Sequence, residues 1–221
     1  IAGINLVGTG TNTGGISDNQ AGSFGTLSLN PAALNSGNPA YQSTISATGA
    51  AQLKRFGMEL GGKTPLLVFD DADIDLALPA LEKALTVFGG LFCMTGSRLL
   101  VQAGIYDTFR ERMAERLRNV KPGPAADPAS DMGPLIYRPN VERVDRVVEA
   151  ALRSGATAIV RGGPITDGPL AAGAFHRPAL LEVADNAMAI MQEEAFGPVM
   201  TIQRFSTEAD AIALANDNEY G

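Results

Sequence analysis

From about residue 56 onward, short apolar runs alternate with amphipathic stretches, and this alternation restricts the fold more than any other feature of the chain. "FGMEL" (56–60) and "PLLVF" (65–69) have the length and composition of buried strands. "DADIDLALPALEKALTVF" (71–88) then places apolar residues at helical spacing behind an acidic start, which suits the positive end of a helix dipole. Pro79 is expected to kink this helix or to sit near its first turn. The order continues with a strand in "SRLLVQ" and an amphipathic helix in "IYDTFRERMAERLRNV", closed by Lys121, Pro122 and Gly123. A second helix, "NVERVDRVVEAALRSGA", ends at Gly155; "TAIVRGG", "RPALLEV" and "VMTIQRF" read as strands and "TEADAIALAND" as a last helix. Strands separated by helix-length segments return in parallel, so the predicted fold is α/β, an open and mainly parallel sheet with flanking helices.

The charge distribution divides the chain. Residues 1–53 contain a single charged side chain, Asp18, among Gly, Ser, Thr, Asn and Ala, whereas charge reaches ordinary density from Lys54. The expected organisation is therefore a low-charge leader over 1–53, irregular or β, and an α/β domain over 54–221. "GGPITDGPLAAGAF" (162–175) reads as a surface loop. A net charge of −7 with 17 basic residues argues against a nucleic-acid partner, and no run is apolar enough to suggest a membrane span. One cysteine precludes an internal disulfide and no leader-like segment opens the chain, so a cytoplasmic location is expected.

The cysteine is the first candidate for chemistry. Cys93 lies in "FGGLFCMTGSRLL", where Gly89, Gly90 and Gly96 let the backbone approach a ligand closely. Cysteine is also a common core residue, and a thiol needs a base or a favourable electrostatic setting to act as a nucleophile. The only histidine, His176, opens a strand and is expected to be a packing or surface residue. A carboxylate is the alternative base. Glu59 in "MELGGKTP" follows an apolar run and precedes two glycines, a setting that makes ionisation costly and suits a base working near neutral pH; an ordinary strand-end carboxylate is the other reading. Asp70, Asp71, Asp73 and Asp75 are explained by helix capping, and with no Cys/His cluster no metal is expected.

Four motifs in order, "MELGGKTPLLVFDDADID", "FCMTGSRLLVQ", "DMGPLI" and "EEAFGPV", resemble the NAD(P)-dependent aldehyde dehydrogenase superfamily over about Ala50 to Gly221. The resemblance implies an aldehyde-dehydrogenase-like catalytic domain that oxidises an aldehyde to a carboxylic acid with NAD or NADP. It implies that Cys93 is the catalytic thiol, forming a thiohemiacetal and then a thioester, and that Glu59 activates the hydrolytic water. It also implies cofactor contacts by Leu60 in the Glu-Leu-Gly-Gly-Lys motif, and by Glu194 and Phe196 in the Glu-x-Phe-Gly-Pro motif, toward the nicotinamide ribose and ring. A small-molecule aldehyde or ester as substrate and a homo-oligomeric assembly follow from the same resemblance.

The chain departs from the family pattern in two respects. Leu91 stands where the family has Gln two residues before the thiol. Residues 1–49 contain no Lys, and "INLVGTGTNTGG" misses a dinucleotide fingerprint because Thr13 occupies the last glycine position. The cofactor half and the C-terminal arm of the family are accordingly expected to be missing. That expectation leaves two other readings: an esterase-like hydrolase using Cys93 and Glu59 without cofactor, or an inactive remnant serving in binding or oligomerisation.

Overall fold

The computed structural model describes residues 4–5, 17–18, 61–218 and 220, and it divides the chain into two units, Ile1–Leu60 and Gly61–Gly221. In the first unit, β1 (Ile4–Asn5) pairs antiparallel with β2 (Ser17–Asp18). The strand expected at 56–60 lies outside the described residues.

The second unit begins with β3 (Pro65–Val68), α1 (Ile74–Thr86), β4 (Arg98–Gln102) and α2 (Tyr106–Asn119). It continues with α3 (Arg138–Arg153), β5 (Thr157–Val160), β6 (Gly163–Pro164), β7 (His176–Arg177) and β8 (Ala179–Glu182). It closes with α4 (Ala189–Gln192), β9 (Val199–Phe205) and α5 (Glu208–Asn216). Among the described residues the main sheet has five strands in the order β3-β4-β9-β8-β5. Its first three pairings are parallel and β5 runs antiparallel to β8, which is the mainly parallel α/β sheet expected.

Helices cover both faces, so the central strands are apolar throughout rather than alternating. On one face, Leu78, Leu81 and Leu85 of α1 and Phe109, Met113 and Leu117 of α2 pack with Leu99, Val101, Met200 and Ile202. On the other, Val144, Val148 and Ala151 of α3 meet Ala179, Leu181 and Val199. Leu100 and Phe205 pack there with Ala211 of α5.

The Asp run finds its use at the start of α1. Asp73 is the N-cap, its Oδ1 accepting from the amides of Asp75 (3.0 Å) and Leu76 (3.1 Å). Pro79 lies past the first turn and α1 continues through it. The ring sits on the exposed face, where water can satisfy the carbonyl it leaves unpaired. The Gly/Pro-rich segment 162–175 is more ordered than a surface loop. β6 and β7 pair across it, the Ile165 amide donates to the Phe175 carbonyl (3.0 Å), and both side chains are buried. His176 is buried as a packing residue, and burial lowers its proton affinity. No helix among the described residues is long and apolar enough to cross a membrane.

Candidate active site

Because β3, β4 and β9 are parallel, the segments that lead into them gather at one rim of the sheet, at the amino ends of the strands. Gly61–Thr64 enters β3, Leu91–Ser97 enters β4, and Glu194–Pro198 enters β9. Cys93, Glu194 and Phe196 all lie on these segments, so the fold brings together three of the five candidate residues. Glu59 and Leu60 lie outside the described residues.

The backbone here is unusual. The two non-glycine residues with positive φ among the described residues are Phe88 (51°) and Phe196 (45°), and Gly61 (79°), Gly89 (65°) and Gly90 (74°) join them. Such conformations are disfavoured for bulky L-residues and persist where the surroundings enforce them. Phe88 and Phe92 pack edge to face across the turn, with ring centroids 5.9 Å apart. The turn is closed by the Thr95 amide on the Phe92 carbonyl (2.8 Å) and fastened to α1 by the Gly96 amide on the Ala84 carbonyl (3.1 Å). This turn leaves the Cys93 thiol exposed.

The three segments touch through their glycines. A Cβ on Gly62 would overlap the Cys93 carbonyl oxygen, and one on Gly90 would overlap the Gly197 carbonyl. A Cβ on Gly61 would come within 2.5 Å of Glu194 Oε2. Only glycine permits this spacing, which accounts physically for the Gly-Gly pair after Glu59.

Glu194 is the electrostatic centre of the rim. Its half-buried carboxyl holds a proton more tightly than usual, chiefly through burial, while the Gly62 amide that donates to it and the nearby Lys63 and Arg143 pull the other way. Arg143 reaches across from α3, and its Nη2 donates to the carbonyls of Ala195 (2.5 Å) and Phe196 (2.8 Å) while Nε donates to Asn140 Oδ1 (3.1 Å). These bonds hold Phe196 in its left-handed conformation with its ring partly exposed. Glu194 borders two hollows. A narrow crevice of about 10 Å³ opens between it, Gly62, Thr95 and Phe196. A groove of about 90 Å³ runs from it along Met188 and Ile190 to Val147 of α3 and to Ser154, which caps that helix.

Sequence reasoning missed three groups here: Arg143, Lys63 and Arg98. Arg143 lay inside the helix expected from "NVERVDRVVEAALRSGA" with no separate signal. Lys63 and Arg98 are each 1% exposed, and the Arg98 guanidinium donates to the carbonyls of Lys63 (2.8 Å), Leu214 (2.9 Å) and Ala215 (2.8 Å). A charge at the head of the apolar run "RLLV" was the available signal for Arg98. Among the described residues no group of three or more His, Cys, Asp or Glu side chains gathers around a possible metal.

Comparison with known proteins agrees with the α/β fold. A model described as the aldehyde dehydrogenase family matches residues 35–221. The 5-carboxymethyl-2-hydroxymuconate semialdehyde dehydrogenase of Escherichia coli is 42% identical over 175 residues, which are 77% of this chain and 37% of that protein. A crystal structure of betaine aldehyde dehydrogenase from Staphylococcus aureus, in complex with NAD+, superposes with a TM-score of 0.74 at 37% identity, over 81% of this chain and 36% of that one. A double mutant of the same enzyme, also with NAD+, gives a TM-score of 0.75 at 36% identity. The chain thus spans little more than a third of the length of these relatives.

Proposed function

Because the chain belongs to the aldehyde dehydrogenase family, we propose that it carries the thiol-bearing and nicotinamide-facing part of an enzyme that oxidises an aldehyde to a carboxylic acid with NAD. The observation that carries this reading is the double role of Gly62: its amide donates to Glu194, and its lack of a Cβ leaves room for the Cys93 carbonyl, which a side chain there would overlap. One residue of the Gly-Gly-Lys turn thereby couples the segment of the nucleophile to that of the cofactor-facing carboxylate.

In this reading Cys93 Sγ adds to the aldehyde carbon, the C=O π pair moves to oxygen, and a thiohemiacetal forms. NAD, when bound, would supply the oxidant that takes the hydride from the thiohemiacetal and leaves the thioester. Glu59 takes a proton from water, the hydroxide adds to the thioester carbon, the C–S bond breaks, and the acid leaves as the thiol is restored. Glu194 would accept hydrogen bonds from the nicotinamide ribose and Phe196 would support the ring, while Arg143 holds the carbonyls of Ala195 and Phe196 between them. The names of the relatives, a semialdehyde and a betaine aldehyde dehydrogenase, point to small polar aldehydes as the substrate class.

The test is formation of reduced cofactor, followed at 340 nm, by the protein carrying this chain with NAD and a panel of small semialdehydes and betaine aldehyde. Turnover that disappears in Cys93→Ala and falls in Glu194→Gln with a raised KM for NAD is expected. Turnover unchanged by Cys93→Ala would overturn the assignment of the nucleophile.

A further inference from the structure

Arg98 is the first residue of β4, and its buried guanidinium donates to backbone carbonyls of two separate segments. Nε donates to Lys63 (2.8 Å), directly after the Gly61–Gly62 turn, while Nη1 and Nη2 donate to Leu214 (2.9 Å) and Ala215 (2.8 Å) near the end of α5. The Arg98 amide adds a bond to the Thr64 carbonyl (3.2 Å). Burying a guanidinium is costly, and an apolar side chain would fill the head of a core strand without that cost. What arginine offers here is several donors splayed from one rigid plane, which tie the glycine turn to the helix in a fixed geometry.

The carbonyl end of α5 is completed by this residue. The Ile212 carbonyl accepts from the Asn216 side chain (2.9 Å) and the Ala213 carbonyl from the Asp217 amide (3.0 Å), and Arg98 takes the next two in line. A cation there also suits the negative end of the helix dipole. The chain leaving α5 then ties the same post to the other side of the rim. Asn218 Nδ2 donates to the Met191 carbonyl (2.9 Å), and the Asp217 carbonyl accepts from Asn186 Nδ2 (2.8 Å) and Gln192 Nε2 (2.9 Å), two residues before Glu194. The end of α5 thus carries two arms: Arg98 holds the glycine turn, and Asp217 with Asn218 holds the segment of Glu194. Between the arms lies the tight approach in which a Cβ on Gly61 would come within 2.5 Å of Glu194 Oε2.

We propose that Arg98 is a positioning residue, the arm that fixes the Gly61–Lys63 turn against the end of α5 and so sets the spacing between that turn and Glu194; its consequence for cofactor rests on the reading of Glu194 as the ribose ligand. Without the guanidinium, the Lys63 carbonyl and the end of α5 are free to part. The turn then shifts, and Glu194 loses the glycine surface on which its carboxylate is seated. Lysine does not replace arginine in this role. Its ammonium keeps a charge near the end of α5, but a point donor on a flexible stem does not hold the Lys63 carbonyl and the helix carbonyls in one plane.

Two measurements test this on the protein carrying the chain. In the first, the KM for NAD is compared among wild type, Arg98→Lys, Asn218→Ala and the double variant. KM does not depend on how much of a sample is folded, so a role in folding alone leaves it unmoved. Each single variant is expected to raise it about tenfold, the scale of one softened hydrogen bond to a charged group. The double variant is expected to add little, because loss of either arm releases the same spacing. An Arg98→Lys protein with KM within about twofold of wild type, or increases that multiply in the double variant, would overturn the proposal. In the second, hydrogen exchange of the peptide covering Gly61–Thr64 is followed without cofactor. Exchange about tenfold faster in Arg98→Lys and in Asn218→Ala is expected, and an unchanged rate would also overturn it. Should Arg98→Lys not fold, Asn218→Ala alone decides by the same two readouts. If wild type binds no NAD, the ribose role of Glu194 fails, while the exchange measurement still decides the clamp.

Discussion

Replacing Lys63 by Met should stabilise the second unit at neutral pH and flatten its stability profile on the alkaline side. The folded-state pKa of Lys63 is lowered from 10.5 to about 7, with burial the largest cause. Between those values the unfolded chain binds more protons than the native one, so stability rises with pH across this window. The cost is fully present below about pH 7 and is gone above the unfolded value. At roughly 1.4 kcal/mol per pK unit, a depression of about 3.5 units corresponds to about 5 kcal/mol, a large share of the 5–15 kcal/mol that holds a typical domain together. Between pH 7 and pH 9, wild type should therefore gain about 2 kcal/mol from this one group. Urea denaturation followed by far-ultraviolet circular dichroism suits a chain without tryptophan. Measured at pH 7, 8 and 9, the difference between wild type and Lys63→Met cancels every other titrating group, and it should shrink by about 2 kcal/mol over the series. Curves that stay parallel would refute the reasoning, because they would mean that the amine is hydrated or paired in the folded state.

Three further outcomes follow from the packing. Asp73→Ala removes the acceptor for the Asp75 and Leu76 amides and should cost about 1 kcal/mol in the same denaturation assay, without changing the rate of cofactor reduction. Tyr106→Phe deletes the bond from the buried Tyr106 hydroxyl to Glu182 Oε1 (2.8 Å), and a loss of about 1–2 kcal/mol is expected; an unchanged midpoint would show that water replaces the hydroxyl. Gly62→Ala drives a methyl group into the Cys93 carbonyl, so the thiol segment must move; turnover should fall about 100-fold with the circular dichroism spectrum retained, and a rate within twofold of wild type would count against the Gly62 contact.

The apolar periodicity carried most of the second unit, because strands covered on both faces and helices with one buried stripe leave distinct patterns. Asp73 was readable as a cap for the same local reason. The antiparallel β5 was not anticipated, although the clue was present: the segment 161–176 between "TAIV" and "RPALLEV" is rich in Gly and Pro and has no helical pattern, and without a crossover helix the chain returns antiparallel. The length of α3 was also underestimated, since it starts at Arg138 with Pro139 in its first turn. At the site, Cys93 was singled out by its glycine-flanked setting and Glu194 and Phe196 by motif resemblance, and parallel pairing explains why segments so distant in sequence share a rim. Lys63, Arg98 and Arg143 escaped because a basic residue reads as solvated unless something shows where it is buried. That information belongs to contacts between segments and has no local pattern.

The parallel pairing of β4 with β9 also determines when the site can come into being. The Thr201 hydroxyl donates to the Ser97 carbonyl across a separation of 104 residues, and the strand register Arg98↔Thr201 spans a comparable stretch of chain. Closing a loop of that size is slow compared with forming α1 or α2, whose contacts are local. During synthesis the thiol segment emerges, and its helix can form, well before the segment bearing Glu194 exists to meet it. On this ordering the Cys93 segment is expected to wait on an incomplete sheet until β9 pairs between β4 and β8.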